Sequence, residues 1–110
     1  MQITDVDVAV YKFATPEPEA DGTLQWDATT ALVVRVHAGD LTGLGWTYTS
    51  PAGAAIVRNH LADVIVGRQA DDVGACFEAM RRTCRNLGTK GLVMQASSAV
   101  DVALWDLKAR

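Results

Sequence analysis

The sequence predicts an α+β fold, a three-stranded antiparallel meander followed by three helices. Apolar residues alternate with polar ones at period two in the first half of the chain and recur at three- and four-residue spacing in the second. AGDLTG supplies a tight turn between the second and third strands, so that pair is an antiparallel hairpin. Strands and helices that occupy separate runs of the chain indicate α+β architecture rather than a doubly wound sheet.

The first strand is expected over Ile3–Phe13, with Val6, Val8 and Val10 on one face and Asp5, Asp7, Ala9 and Tyr11 on the other. TPEPEADGT then breaks the alternation with two prolines, a glycine and acids, which reads as an irregular surface loop from Thr15 to Asp27 that ends on Trp26. Ala31–His37 resumes the alternation, with Leu32, Val34 and Val36 facing the core, and LGWTYT forms the third strand.

In SPAGAAIVRNHLADVIVG, Ser50 is placed to cap a helix, Pro51 to occupy its first position and Gly67 to close it, with Val57, Leu61, Val64 and Ile65 as its stripe. Asp71 opens a second helix whose apolar positions are Val73, Phe77, Met80, Cys84 and Leu87. GTKG joins it to the last helix, whose core stripe is Leu92, Ala96, Ala99, Val100, Ala103, Leu104 and Leu107. Met94, Val102 and Trp105 fall outside that stripe, and a helix that is apolar on two sides needs a second partner. Nothing in SAVDVALWDLKAR terminates the helix, which reads as still running at Arg110.

At 110 residues the chain is one domain, able to bury roughly two-thirds of its unfolded surface. A net charge of -3 with scattered Lys and Arg argues against nucleic-acid or anionic-membrane binding, and no apolar run approaches the roughly 20 residues that span a bilayer. A cytoplasmic location is expected, with Cys76 and Cys84 as buried thiols: eight residues of helix hold them about 12 Å apart along its axis.

The residues offer no self-contained active site. Asp101 and Asp106 are five apart on a helix, which turns their side chains roughly 140° from each other, and Asp106 is instead placed to bond backbone or Arg110. His37, His60 and the two cysteines lack zinc-ligand spacing, and Glu17, Glu19 and Asp21 read as a solvated acidic loop without a calcium-loop pattern. GTKG is not a phosphate loop, because it joins two helices. No catalytic residue and no metal ligand is assigned. The remaining candidates are Trp26, Thr47, Tyr48, Thr49 and Ser50, aromatic and hydroxyl groups on loops at the strand ends; Trp46 reads as a sheet-face residue.

The first strand and its loop, VVRVHAGDLTGLGW, VIVGRQADDV between two helices and above all SAVDVALWDLKAR resemble the N-terminal domain of the mandelate racemase and muconate-lactonizing branch of the enolase superfamily. The resemblance implies an enolase N-terminal fold that caps a (β/α)8 barrel. That barrel, absent from this chain, would follow the last helix and supply the Lys or His base and the ligands of Mg²⁺. The parent chemistry would be proton abstraction α to a carboxylate, of dehydratase, racemase or cycloisomerase type, with no cofactor in this chain and no activity from it alone. By position, the substrate-selecting loops would be Thr15 to Asp27 and Thr47 to Gly53; Thr47 and Tyr48 stand where many relatives carry a Gly-Glu pair. Met94 and Trp105 would face the barrel or another partner, and a small carboxylate would bind only together with the barrel. The alternative is a stand-alone interaction module that forms homo-oligomers through the last helix.

Overall fold

The computed structural model describes residues 1–110. Strands β1 (Asp5–Ala20), β2 (Gln25–Ala38) and β3 (Leu41–Tyr48) form one antiparallel sheet in the order β1-β2-β3. The β2–β3 turn is only Gly39-Asp40, and Gly39 takes the positive φ of 59° that such a turn demands. Before β1, Ile3 exchanges backbone hydrogen bonds with Gly67 and Arg68, which stitches the N-terminus to the segment after the first helix.

All helices lie on one face of the sheet. The first runs over Ala52–Ile56, widens into a π-helical stretch over Val57–Leu61 and resumes over Ala62–Ile65, before Gly67 at φ 91°. The second spans Val73–Thr83 and the last Leu92–Ala109. Leu32, Val34 and Val36 from β2 meet Val57, Leu61, Met80, Ala99, Val100, Ala103 and Leu104 in a single core of 22 buried residues. Arg58 Nη2 donates to the carbonyl of Val8 at 3.0 Å and ties the π-helical stretch to β1.

The last helix lies directly on β3 because Gly43 and Gly45 leave it room. A Cβ at Gly45 would overlap the carbonyl oxygen of Ala99, and one at Gly43 that of Ala103. Small residues on both sides, glycines on the strand and alanines on the helix, therefore set the distance between the layers. The opposite face of β3 points away from the helices, leaving Leu44, Trp46 and Tyr48 more than two-fifths exposed.

Several boundaries differ from expectation. Thr15–Asp27 is not an irregular loop: β1 and β2 continue as a two-stranded ribbon to a tight turn, interrupted by a bulge between Ala14 and Glu19. Backbone pairing thus overrides the loop-forming composition, while Pro16 and Pro18, which cannot donate to a ladder, fall inside the bulge. Asp72, not Asp71, caps the second helix, accepting from the Ala75 N–H at 3.3 Å. Leu87 lies beyond the end of that helix and is 53% exposed, because the helix stops at Thr83. Ser50 caps as expected, its hydroxyl oxygen accepting from the Ala52 N–H at 3.2 Å. Cys76 and Cys84 are both free and fully buried, and burial raises both thiol pKa values.

Candidate functional site

The ribbon formed by β1 and β2 extends past the end of β3. Tyr48, the last residue of β3, pairs with Ala31, whereas β2 continues back to Gln25 opposite Ala20. Four residues of β1, Thr15 to Pro18, bulge against the single Asp27 of β2. At the ribbon tip, Asp21 Oδ1 accepts from the N–H groups of Thr23 and Leu24, both at 2.8 Å, and from the Thr23 hydroxyl at 3.1 Å. These bonds hold the Asp21 carboxyl below its ordinary value of 3.8.

Bulge, ribbon and strand end together enclose an open depression of about 480 Å³ lined by Phe13, Pro16, Glu19, Trp26, Thr29 and Tyr48. A second depression, of about 290 Å³, is lined by Trp26 together with Pro18, Gln25 and Asp27. Trp26 is thus a wall shared by two concavities. Tyr48 is held from behind by Trp46, edge-on at 4.9 Å between ring centroids and 64° between planes.

Of the loop residues singled out in the sequence, the fold brings Trp26 and Tyr48 to one place and leaves Thr47, Thr49 and Ser50 outside it. The Thr49 hydroxyl donates to Gln95 Oε1 at 2.6 Å and so fastens the β3–helix connection to the last helix, while Ser50 is occupied as a cap. Phe13 and Glu19 were not foreseen as lining residues. The available signal was the outward aromatic pair Tyr11 and Phe13, which alternates with Lys12.

A second cluster lies at the far end of the same sheet, where Asp5, Asp7 and His37 converge from β1 and β2. His37 shares a hydrogen bond of 2.7 Å with Asp7 Oδ2 and one of 2.9 Å with Thr42 Oγ1, and Arg35 Nη1 lies 3.8 Å from Asp7 Oδ1. This donor set does not suit Mg²⁺, which takes oxygen ligands in an octahedron: one ligand is an imidazole and one carboxylate already faces a guanidinium.

On the last helix Asp101 and Asp106 have separate environments. Burial raises the Asp101 pKa. Asp106 accepts from the Leu44 N–H at 2.8 Å and from Arg110 Nη2 at 3.0 Å, and its pKa is lowered by those partners in that order. Met94 and Trp105 are exposed, as is Val102, and Lys108 Nζ sits 5.4 Å from the centre of the Trp105 ring. Eleven residues are close to three whole turns, so Met94 and Trp105 share one face of the helix. No helix is long and apolar enough to cross a membrane.

The chain is 46% identical over 77 residues to an L-rhamnonate dehydratase of Saccharopolyspora erythraea, a match covering 69% of this chain and 20% of that protein. The structure superposes with a TM-score of 0.97 on a mandelate racemase/muconate lactonizing enzyme-like protein from Rubrobacter xylanophilus, at 43% identity, over 100% of this chain and 31% of the other. It superposes with a TM-score of 0.91 on a racemase from Streptomyces coelicolor A3(2) with bound magnesium, at 32% identity, over 96% of this chain and 31% of that one. The chain therefore spans less than a third of the proteins it matches. Residues 3–110 match the family described as mandelate racemase / muconate lactonizing enzyme, N-terminal domain, and the chain belongs to that family.

Proposed function

We propose that residues 1–110 form the substrate-capping domain of a Mg²⁺-dependent enolase-superfamily enzyme of the acid-sugar dehydratase or racemase type. The last helix leads on into the barrel. The observation that carries this reading is the meeting of Trp26 and Tyr48, from segments more than twenty residues apart, around one open depression at the end of the sheet. A wall of two aromatic rings, Trp26 on the ribbon and Tyr48 at the end of β3, is suited to cover the non-reacting end of a bound substrate and to keep water from the reaction.

The base and the metal ligands belong to the barrel in this proposal, where Mg²⁺ would stabilise charge developed on the substrate carboxylate. The domain's own residues contribute binding and exclusion. Contacts remote from the reacting carbon can be used to orient it, so loss of a capping side chain reduces turnover as well as affinity. Met94 and Trp105 form the surface proposed to meet the barrel or another partner.

The experiment is steady-state kinetics on the longer enzyme that carries this domain, with Trp26→Ala and Tyr48→Ala. Each is expected to lower kcat/KM by roughly 10- to 100-fold while the affinity for Mg²⁺ stays unchanged. Unaltered kcat/KM in both variants would remove the capping role, and so would turnover by residues 1–110 alone.

A further inference from the structure

We infer that Asp5, Asp7 and His37 form a binding site for a late first-row divalent metal ion of the Zn²⁺ class, which clamps β1 to β2 at the end of the sheet remote from the depression. The inference does not depend on the capping role.

Strand register builds the site. Asp5 stands opposite His37 and Asp7 opposite Arg35, so two carboxylates follow each other at i and i+2 on one face of β1 and meet the imidazole across the ladder. That face is the outer one, because Val6 and Val8 turn toward the core. One oxygen from each aspartate and a ring nitrogen of His37 lie within 4.8 Å of one another. A tetrahedral ion with bonds of roughly 2.0–2.2 Å holds its ligand atoms roughly 3.5 Å apart, so the widest gap has only about 1 Å to close. The exposed Asp5 side chain can turn to close it.

The neighbours of His37 suit it to this role. Its Nε2 lies 2.7 Å from Asp7 Oδ2, and its Nδ1 lies 2.9 Å from Thr42 Oγ1, on the opposite residue of β3. A hydroxyl both donates and accepts, so Thr42 supports either tautomer of the ring. Without metal, Nε2–H donates to Asp7 and Nδ1 accepts from Thr42. When the ion takes the place of the proton between Nε2 and Asp7, one proton passes to water, Nδ1–H donates to Thr42, and Nε2 presents its lone pair. Arg35 Nη1 lies 3.8 Å from Asp7 Oδ1, the oxygen not bonded to His37, and so steadies the carboxylate with Oδ2 toward the site. Ligands oriented by outer groups in this way are the general pattern of metal sites. An imidazole with two carboxylates matches Zn²⁺, with water as the fourth ligand, whereas Mg²⁺ calls for oxygen ligands alone. Cys76 and Cys84 are fully buried and His60 lies in the π-helical stretch, so the other soft ligands of the chain stand apart from this cluster.

The test is calorimetric titration of residues 1–110 with ZnCl₂, and with MgCl₂ for comparison, alongside thermal melts. One Zn²⁺ per chain is expected, with no saturable binding of Mg²⁺ over the same range. At about a hundredfold excess of free Zn²⁺ over its Kd, the melting temperature should rise on the order of 10 °C. Thr42→Val keeps the shape of the side chain and removes the hydroxyl; it should weaken Zn²⁺ binding roughly 10- to 100-fold. Asp5→Asn and His37→Gln should weaken it at least as much, and His60→Gln should leave it unchanged. Because Asp5 is exposed, Asp5→Asn should melt with the unaltered chain when no metal is present, which separates loss of the ion from loss of the fold. Absence of saturable Zn²⁺ binding would overturn the inference, as would equal binding of Mg²⁺. So would Zn²⁺ binding that Asp5→Asn and His37→Gln leave intact, or that His60→Gln abolishes.

Discussion

The carboxylate of Asp106, in the last helix, accepts the backbone N–H of Leu44, in the edge strand β3, 62 positions earlier in the chain. An edge strand presents unpaired N–H groups that invite pairing with another chain, and here a helix side chain occupies one of them. The Asp106 pKa is lowered, so the unfolded chain takes up the proton first as pH falls. The stabilising contribution is present above the unfolded value near 3.8 and is lost as pH drops through the lower folded value. Asp106→Asn is therefore expected to lower the melting temperature at pH 7 and to converge with the unaltered protein in acid. Thermal melts from pH 7 to pH 2.5 check this, and a gap that stays constant over the range would refute it.

Asp101, five residues earlier on the same helix, should behave in the opposite sense. Burial raises its pKa and no charged partner offsets the cost of the carboxylate. With the folded value above the unfolded one, stability is highest while the group is protonated and declines as pH rises through the folded value. Asp101→Asn removes that charge and keeps the size. It should match or exceed the unaltered protein in urea denaturation at pH 7, with the difference fading below pH 4. A clear loss of stability at pH 7 would mean that the carboxylate makes a favourable contact there.

At Gly45, as at Gly43, the two layers leave no room for a side chain. A Cβ at Gly45 would overlap the Ala99 carbonyl oxygen and stand 2.7 Å from the Ala103 nitrogen, and both are helix backbone that cannot rotate aside. The helix must lift from β3, separating Ala99 and Ala103 from the core beneath them. Gly45→Ala is expected to cost about 3 kcal/mol or more, a fall in melting temperature on the order of 10 °C or more for a domain of this size. Gly74, whose Cβ would meet nothing within 4 Å, provides the control: Gly74→Ala in the second helix should be neutral or stabilising. Similar melting temperatures for the two variants would contradict this account of the packing.

The contrast between these glycines shows where sequence reasoning reaches and where it stops. Periodicity locates Leu32, Val34 and Val36 on one strand face and Ala99, Val100 and Ala103 on one helix stripe, because each pattern is local. The contact of Gly45 with Ala99 joins positions far apart in sequence and carries no hydrophobic signal. The same limit explains the ribbon: proline and acid content over Thr15–Asp27 argues for a loop, yet pairing of Glu19 with Trp26 is decided across the hairpin. It also explains the depression, half of which was legible. Trp26 and Tyr48 stand out as aromatic residues near strand ends, whereas Phe13 enters through its outward place on β1 opposite Thr29 and Glu19 through the bulge. The cluster of Asp5, Asp7 and His37 was illegible for a like reason, since its members meet by register and not by spacing.

The exposed face of the last helix gives the remaining prediction. Trp105 is 54% exposed and Val102 46%, so neither contributes much to the core of this domain, although both would add apolar area to an interface. Trp105→Glu should therefore change unfolding stability by no more than about 0.5 kcal/mol, while reducing any association that depends on this face. Sedimentation velocity of residues 1–110 at increasing concentration, with and without the substitution, separates the possibilities. A concentration-dependent dimer that the substitution abolishes places a second copy on the helix. A monomer in both cases excludes self-association through this face and is the outcome expected if the proposed barrel covers Met94 and Trp105. A large loss of stability in Trp105→Glu would instead show that the ring, with Lys108 over it, is held by the domain itself.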